Sequence, residues 1–216
     1  MKARILIALI IACVSTLAIA AGASASQLKA ESYPAVVTGA SSGDFAIDME
    51  GSMDTTCAQV DLSGELSAAQ EFLTVNPVFT GGCIFGGVIV PIVLNGCDWG
   101  FGFGAGGGDE FAGTLGIYCP AGQAISLSWP QANCEIQIPG QIGLAPVSFE
   151  NLTAATPKEQ VAADVEVTGL VYRKTKDGIF CPLNGLGSMS DGVLTVSVTL
   201  AGKVKGSSTP LGIRVE

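Results

Sequence analysis

The pentapeptide Gly39-Ala40-Ser41-Ser42-Gly43 has the spacing of a nucleophile elbow, the sharp turn on which a serine hydrolase presents its Oγ. A serine used in that way needs an imidazole to take its proton, and the chain contains no histidine. The Ser-His-acid arrangement therefore cannot be assembled, and histidine-based zinc sites are excluded with it. Thr38 to Gly43 also spell the opening of a dinucleotide-binding loop, and Tyr172-x-x-x-Lys176 has the spacing of a proton-transfer pair. Such a loop works between a strand and a helix whose N-terminus meets the pyrophosphate. Here Phe45 stands where the last glycine belongs, and the residues after it alternate like a strand. Gly102 to Gly107 spell G-x-G-x-x-G but run into another strand pattern, so they read as a hairpin loop. Tyr172 is expected to end a strand, with Arg173, Lys174 and Lys176 on a turn closed by Asp177-Gly178.

Carboxylates are the chemistry that remains. A glycosidase sets two of them across a cleft, and Asp98, Asp109, Glu110, Glu135 and Glu150 are candidates by type, although their spacing singles out no pair. Trp99 and Trp129, which could stack on sugar, fall on core-facing registers. Asp48, Glu50 and Asp54 cluster in a way that suggests calcium, yet they match no EF-hand loop, which needs acids at alternate positions, a Gly sixth and a Glu twelfth. Asn151-Leu152-Thr153 is a glycosylation sequon only in a eukaryotic host. No catalytic residue, resident metal or cofactor is assigned.

These residues sit in a chain that reads as exported. Lys2 and Arg4 precede an apolar run that ends in Ala23-Ser24-Ala25, the form of a secretory signal peptide over residues 1–25. Cys13 offers the rival route of a bacterial lipoprotein, but the sequence after it is hydrophobic where a polar tether belongs. Cleavage after Ala25 leaves a single β-rich domain, residues 26–216, with no membrane span. It also removes Lys2 and Arg4, leaving eight basic against 19 acidic residues, a net of −11. No Lys or Arg lies between Lys29 and Lys158. Nucleic acid is excluded as a partner for such a surface.

Six cysteines remain, an even number in an exported chain, which implies a disulfide framework. They must be placed on strands, because short β-rich runs punctuated by Gly, Pro, Asn and Asp recur about every ten residues. The expected fold is an all-β, disulfide-stapled antiparallel β-sandwich, with a barrel as the alternative. The strands are placed at Ala35–Val37, Phe45–Met49, Ala58–Leu62, Phe72–Val75, Val88–Leu94, Cys97–Phe103, Phe111–Cys119, Ala124–Trp129, Cys134–Ile138, Val147–Phe149, Val161–Tyr172 and Val193–Leu200. Helical turns are expected only near Ser67–Phe72 or Thr156–Asp164. Val88–Leu94 is apolar on both faces and suits the interior, apart from Pro91, which cannot donate to a ladder. At about 3.3 Å per residue that strand separates Cys83 from Cys97 by roughly 23 Å, too far for a bridge.

The hairpin that sets 97 opposite 119, 99 opposite 117 and 101 opposite 115 instead puts Cys97, Trp99, Phe101 and Phe103 on one face with Phe111, Leu115, Ile117 and Cys119. A Cys97–Cys119 bridge then closes a loop worth about 3 kcal/mol in the chain-entropy model. The same counting sets Cys83 with Cys134 and leaves Cys57 with Cys181.

With the cysteines placed, the succession Gly81-Gly82-Cys83, Asn95-Gly96-Cys97-Asp98-Trp99, Cys119-Pro120-Ala121-Gly122-Gln123-Ala124-Ile125 and Cys134 to Gln141 resembles a group of uncharacterised secreted bacterial proteins with recurring NGC-x-aromatic and CP-x-G-x-x-I segments. The resemblance spans Phe45 to Leu200 and implies export, bridging and β structure, with no functional residue to transfer. The expected function is therefore binding or structural presence at the cell envelope or outside it, with a polysaccharide, another protein or calcium as ligand. The alternative is a secreted carbohydrate-active hydrolase that uses carboxylates. Intact-mass analysis of protein recovered from the medium or periplasm should give a chain beginning at Ser26; a diacylglyceryl-modified chain beginning at Cys13 would refute the leader assignment.

Overall fold

The structure, a computed structural model, describes residues 25–49, 53–85, 87–178, 181 and 186–216. Residues 1–24, on which the expected leader and Cys13 fall, and Glu50 lie outside the described residues. Strands form wherever apolar residues alternate with polar ones. In chain order they are β1 (Leu28–Ala30), β2 (Ala35–Ser41), β3 (Phe45–Met49), β4 (Met53–Leu66), β5 (Phe72–Phe85), β6 (Val88–Val90), β7 (Ile92–Val93) and β8 (Asp98–Gly107). The second half adds β9 (Glu110–Tyr118), β10 (Ala124–Trp129), β11 (Cys134–Pro139), β12 (Gln141–Leu152), β13 (Gln160–Asp177), β14 (Gly187–Val204), β15 (Pro210–Leu211) and β16 (Ile213–Val215).

The fold is an all-β, disulfide-stapled antiparallel sandwich. The hydrogen-bonded order runs β14, β2, β4, β5, β8, β9, β12, β13, and β13 pairs with β14 in turn. The layers are thus joined at their edges by ladders, which leaves few unpaired edges to template association. The remaining halves of β4, β5, β13 and β14 extend past this circuit and gather β3, β6 and β11, with β10 and β7 beyond β11. Phe45, Phe79 and Trp99 pack together with ring centroids 5.0 to 6.1 Å apart, and Phe149 meets Phe101 and Phe103 at 5.9 and 4.8 Å. Among the described residues the helical content is one 3-10 turn, Pro130–Ala132, and no helix is long and apolar enough to cross a membrane.

Neither expected helical turn forms. Ser67–Phe72 makes the bend between β4 and β5, and Thr156–Asp164 leads into β13, where Val161, Ala163 and Val165 bury at strand period rather than helix period. Val88–Leu94 is not an interior strand. It breaks at Pro91 into β6, which folds back on β5, and β7, which pairs with β10. Ile89 is 77% exposed and Val93 48%.

A strand as long as β13 keeps one face inward only if its parity can be corrected. Val161, Ala163, Val165 and Val167 point inward, and after Gly169 so do Leu170, Tyr172 and Lys174. The switch occurs where the β13–β14 register shifts between Thr168 and Leu170. Gly169 has φ +75° there, which a Cβ disfavours. Tyr172 therefore does not end its strand, and Lys174 does not decorate a turn. Both are buried, the Tyr172 hydroxyl donating to Asp191 Oδ1 at 2.8 Å and Lys174 Nζ to Asp177 Oδ1 at 2.6 Å. Val171 falls between the stretch of β13 paired with β12 and the stretch paired with β11. The Gln141 side-chain amide takes the missing ladder position, donating to the Val171 carbonyl at 3.0 Å and accepting from its N–H at 2.9 Å.

The disulfides are Cys57–Cys83, Cys97–Cys119 and Cys134–Cys181. The expected pairs Cys83–Cys134 and Cys57–Cys181 are incorrect. β4 and β5 form one long hairpin rather than two short strands, and its register sets Cys57 directly opposite Cys83 with Cα atoms 4.0 Å apart. Cys134 begins β11 opposite Asp177, and the chain turns straight after Asp177, with Gly178 N–H on the Asn133 carbonyl, so that Cys181 returns beside it. Replacing Gly169 by Val forces a branched Cβ into the left-handed region and should cost about 1–3 kcal/mol. A urea-denaturation midpoint equal to that of the parent would show that the parity switch does not depend on this glycine.

Candidate functional site

The chemistry-bearing residues are distributed by the hairpin β8–β9. Asp98 opposes Tyr118, Trp99 opposes Ile117 and Phe101 opposes Leu115. Trp99, Phe101, Leu115 and Ile117 are buried, so alternation turns Asp98, Gly100, Gly102, Thr114, Gly116 and Tyr118 to the outer face. Gly100 and Gly116 are nevertheless buried, because aromatic rings cover them. A Cβ at Gly100 would collide with the Phe72 ring and one at Gly116 with the Tyr118 ring. The glycines are thus seats for two rings that meet edge to face at 5.3 Å. Tyr118 stays 42% exposed, and the chain bulges opposite Gly116 at Ile142, which is 73% exposed. Beside them Asn76 Nδ2 donates to Asp98 Oδ1 at 3.1 Å.

Asp98 is the one expected carboxylate on this face. Asp109, Glu110 and Glu150 come together at the far end of the hairpin, where Glu110 lies directly opposite Glu150 and the Asp109 carbonyl accepts from Asn151 N–H at 2.8 Å. With residues 151–155, Asp109 and Glu150 border a shallow depression, and all three acids are exposed. Glu135 stands apart, at β11. Lys176 bonds its carboxylate and Gln137 donates to it at 3.0 Å, which holds its pKa below the ordinary value against the opposing effect of burial. A glycosidase acid needs a raised pKa, so Glu135 is set up as a fixed anion.

The other motifs are absorbed by structure. Ser41 lies in β2, and its Oγ accepts from Val60 N–H at 3.1 Å. Gly102–Gly107 belong to β8 itself, not to a loop. Asn151 is buried, with its amide clamped on the backbone of Val215 at 2.8 and 2.9 Å, so the sequon asparagine is committed to holding β16. Trp99 is in the core, as its register requires; Trp129 is only partly buried, edge-on to Phe85 at 6.2 Å. Asp48 and Asp54 are register partners across β3 and β4, and among the described residues no group of three or more His, Cys, Asp or Glu could hold a metal ion.

Most basic side chains are tied up. Lys29 bonds Glu216 at 2.6 Å, Lys158 bonds Glu31 at 2.8 Å, Lys205 bonds Glu65 at 2.7 Å, and Arg214 pairs with Glu216. These hydrogen bonds lower the pKa of Glu31 and Glu216. Among the described residues no ion pair reaches Asp98, Asp109, Glu110 or Glu150.

Sequence reasoning passed over Tyr118, Phe72, Asn76 and Ile142. The alternation that buries Trp99 already sends Tyr118 outward, so that residue could have been found. Compared with protein-family models, curated proteins and solved structures, the chain matches none.

Because the folded-state pKa of Glu135 is lowered, its ionisation stabilises the fold above the unfolded-state value, and this contribution is lost as pH falls through the folded value. Glu135→Gln should therefore be less stable than the parent at pH 7 and lose less further stability between pH 5 and pH 3. Parallel urea midpoints for the two proteins across that range would show the ion pair to be inconsequential.

Proposed function

We propose that residues 26–216 form a single exported domain that acts outside the cytoplasm by non-covalent recognition, as a binding or structural protein of the cell envelope or exterior. Three disulfides in an all-β protein are compatible with an extracellular or periplasmic location. The observation that carries the reading is the form of the outer surface. Its aromatic and hydrogen-bonding groups sit on an open sheet face fixed by ladders and a disulfide, where a ligand can rest. Surfaces of this kind bind with little ordering cost because they are preorganised.

A second reading, a carboxylate-dependent carbohydrate-active hydrolase, draws on Glu110 opposite Glu150. Residues paired in this way have Cβ atoms about 4.5–5.5 Å apart, close to the roughly 5–5.5 Å between the carboxyl groups of retaining glycosidases. Both side chains are exposed, and Glu150 borders only a shallow, open depression that Glu110 does not line, which favours the binding reading. A panel of chromogenic glycosides and polysaccharides incubated with the mature protein should show no turnover. Turnover abolished by Glu110→Gln or Glu150→Gln in a still-folded protein would replace the binding reading with the hydrolase.

A further inference from the structure

We propose that the outer face of the Cys97–Cys119 hairpin binds the sugar rings of a neutral polysaccharide; this rests on the binding reading and gives it a site and a ligand class. A pyranose offers two kinds of surface, an apolar C–H face and a rim of hydroxyls that both donate and accept. The hairpin offers the complement of each within one cross-strand step. Tyr118 supplies an exposed aromatic surface, backed by Phe72 at 5.3 Å and bordered by the bulge at Ile142. Asp98, directly opposite Tyr118, supplies acceptor oxygens, and Asn76, bonded to Asp98, keeps a second amide proton and its own carbonyl for a neighbouring hydroxyl. Strand partners set directly opposite have Cβ atoms about 5 Å apart, so one sugar ring can touch both groups.

The site is held before any ligand arrives. Its floor is glycine backbone in a ladder, Phe72 and Tyr118 occupy the space that Cβ atoms at Gly100 and Gly116 would take, and the disulfide closes the end of the hairpin next to Asp98. Charge selects among polysaccharides. The strands that build this face, β5, β8, β9 and the start of β12, fall within the part of the chain from Ala30 to Pro157 that has no Lys or Arg. A sulfated or uronate-rich polymer would meet Asp98 with no cation to offset it, whereas an uncharged glycan incurs no such repulsion.

The test is affinity electrophoresis of the oxidised mature protein in gels containing β-1,3-glucan, β-1,4-glucan, α-glucan or mannan, with polygalacturonate as the anionic comparison. At least one neutral polymer should retard the protein and polygalacturonate should not. Tyr118→Ala should weaken retardation at least tenfold while Tyr118→Phe keeps it, and Asp98→Ala combined with Asn76→Ala should weaken it by a similar factor. The polar pair is at the surface, so this double variant remains informative if Tyr118→Ala does not fold. Retardation by no neutral polymer, preference for polygalacturonate, or neutral-polymer binding unaffected by both sets of changes would overturn the assignment. In the last case the binding reading survives and only this site falls, whereas glycoside turnover would remove the binding reading itself. A dimer in sedimentation that Tyr118→Ala dissolves would also overturn it, by showing that a second copy covers this face.

Discussion

Side-chain parity along β4, β5, β13 and β14 is the constraint on which the rest of the molecule depends. Each of these strands, 14 or 18 residues long, serves both the closed circuit of ladders and the group of short strands beyond it. In β4 and β13 strict alternation is not carried through both, and there a slip of one residue sends every later side chain to the opposite face. The correction in β13 comes at Gly169 and in β4 at the register shift after Cys57, whereas β5 keeps one parity from Leu73 and Val75 to Cys83 and Phe85. Beyond those points lie Tyr172, Lys174 and Cys57, whose burial depends on the switch. The Gln141 amide belongs to the same solution, since it satisfies backbone that the switch leaves between two ladders.

Strand identity was readable wherever alternation runs unbroken. Phe45–Met49 and Ala124–Trp129 have the bounds their sequence indicates, and the faces of the Cys97–Cys119 hairpin follow from parity alone because Asp98–Phe103 carries no bulge. Extent was harder to read. Ala58–Leu62 and Phe72–Val75 are fragments of β4 and β5, cut short in the reading because Ser63-Gly64 and Asn76-Pro77 have the composition of turns although the ladder runs through them, and a register shift follows Cys57. Two cysteine pairings failed with them, since Cys57 and Cys83 lie past those interruptions. The candidate site divides in the same way. Tyr118 is placed by local alternation, whereas Phe72 reaches it only through the pairing of β5 with β8, which nothing near Phe72 in sequence announces. Val88–Leu94 misled for another reason: hydrophobicity on both faces normally marks a buried strand, and Pro91 outweighed it by removing a donor.

Charge is distributed with comparable economy. Most of the scarce basic side chains close contacts that are distant in sequence, such as Lys29 with Glu216, Lys158 with Glu31 and Lys205 with Glu65. The surplus carboxylates are left to the sheet surfaces, and Glu110 stands directly opposite Glu150, a like-charged pair that disfavours the ladder carrying it. The ladder holds because Phe111 and Phe149, one step along, bury their rings on the other side.

Gln27 and Glu216 exchange backbone hydrogen bonds at 2.7 and 2.9 Å, and β1 and β16 are antiparallel from there inward. Tension applied at these two residues would therefore load a single pair of bonds at a time, opening the ribbon like a zipper instead of shearing all its bonds together. The outermost pair of bonds yields first, and the next contacts to resist are buried Leu28, bonded to Gln70, and the Asn151 clamp on Val215. Beyond it the covalent bridges set the limit of extension. Residues 57 to 83, 97 to 119 and 134 to 181 cannot lengthen while their sulfurs stay joined, so the chain would pay out slack only from the segments outside these three loops.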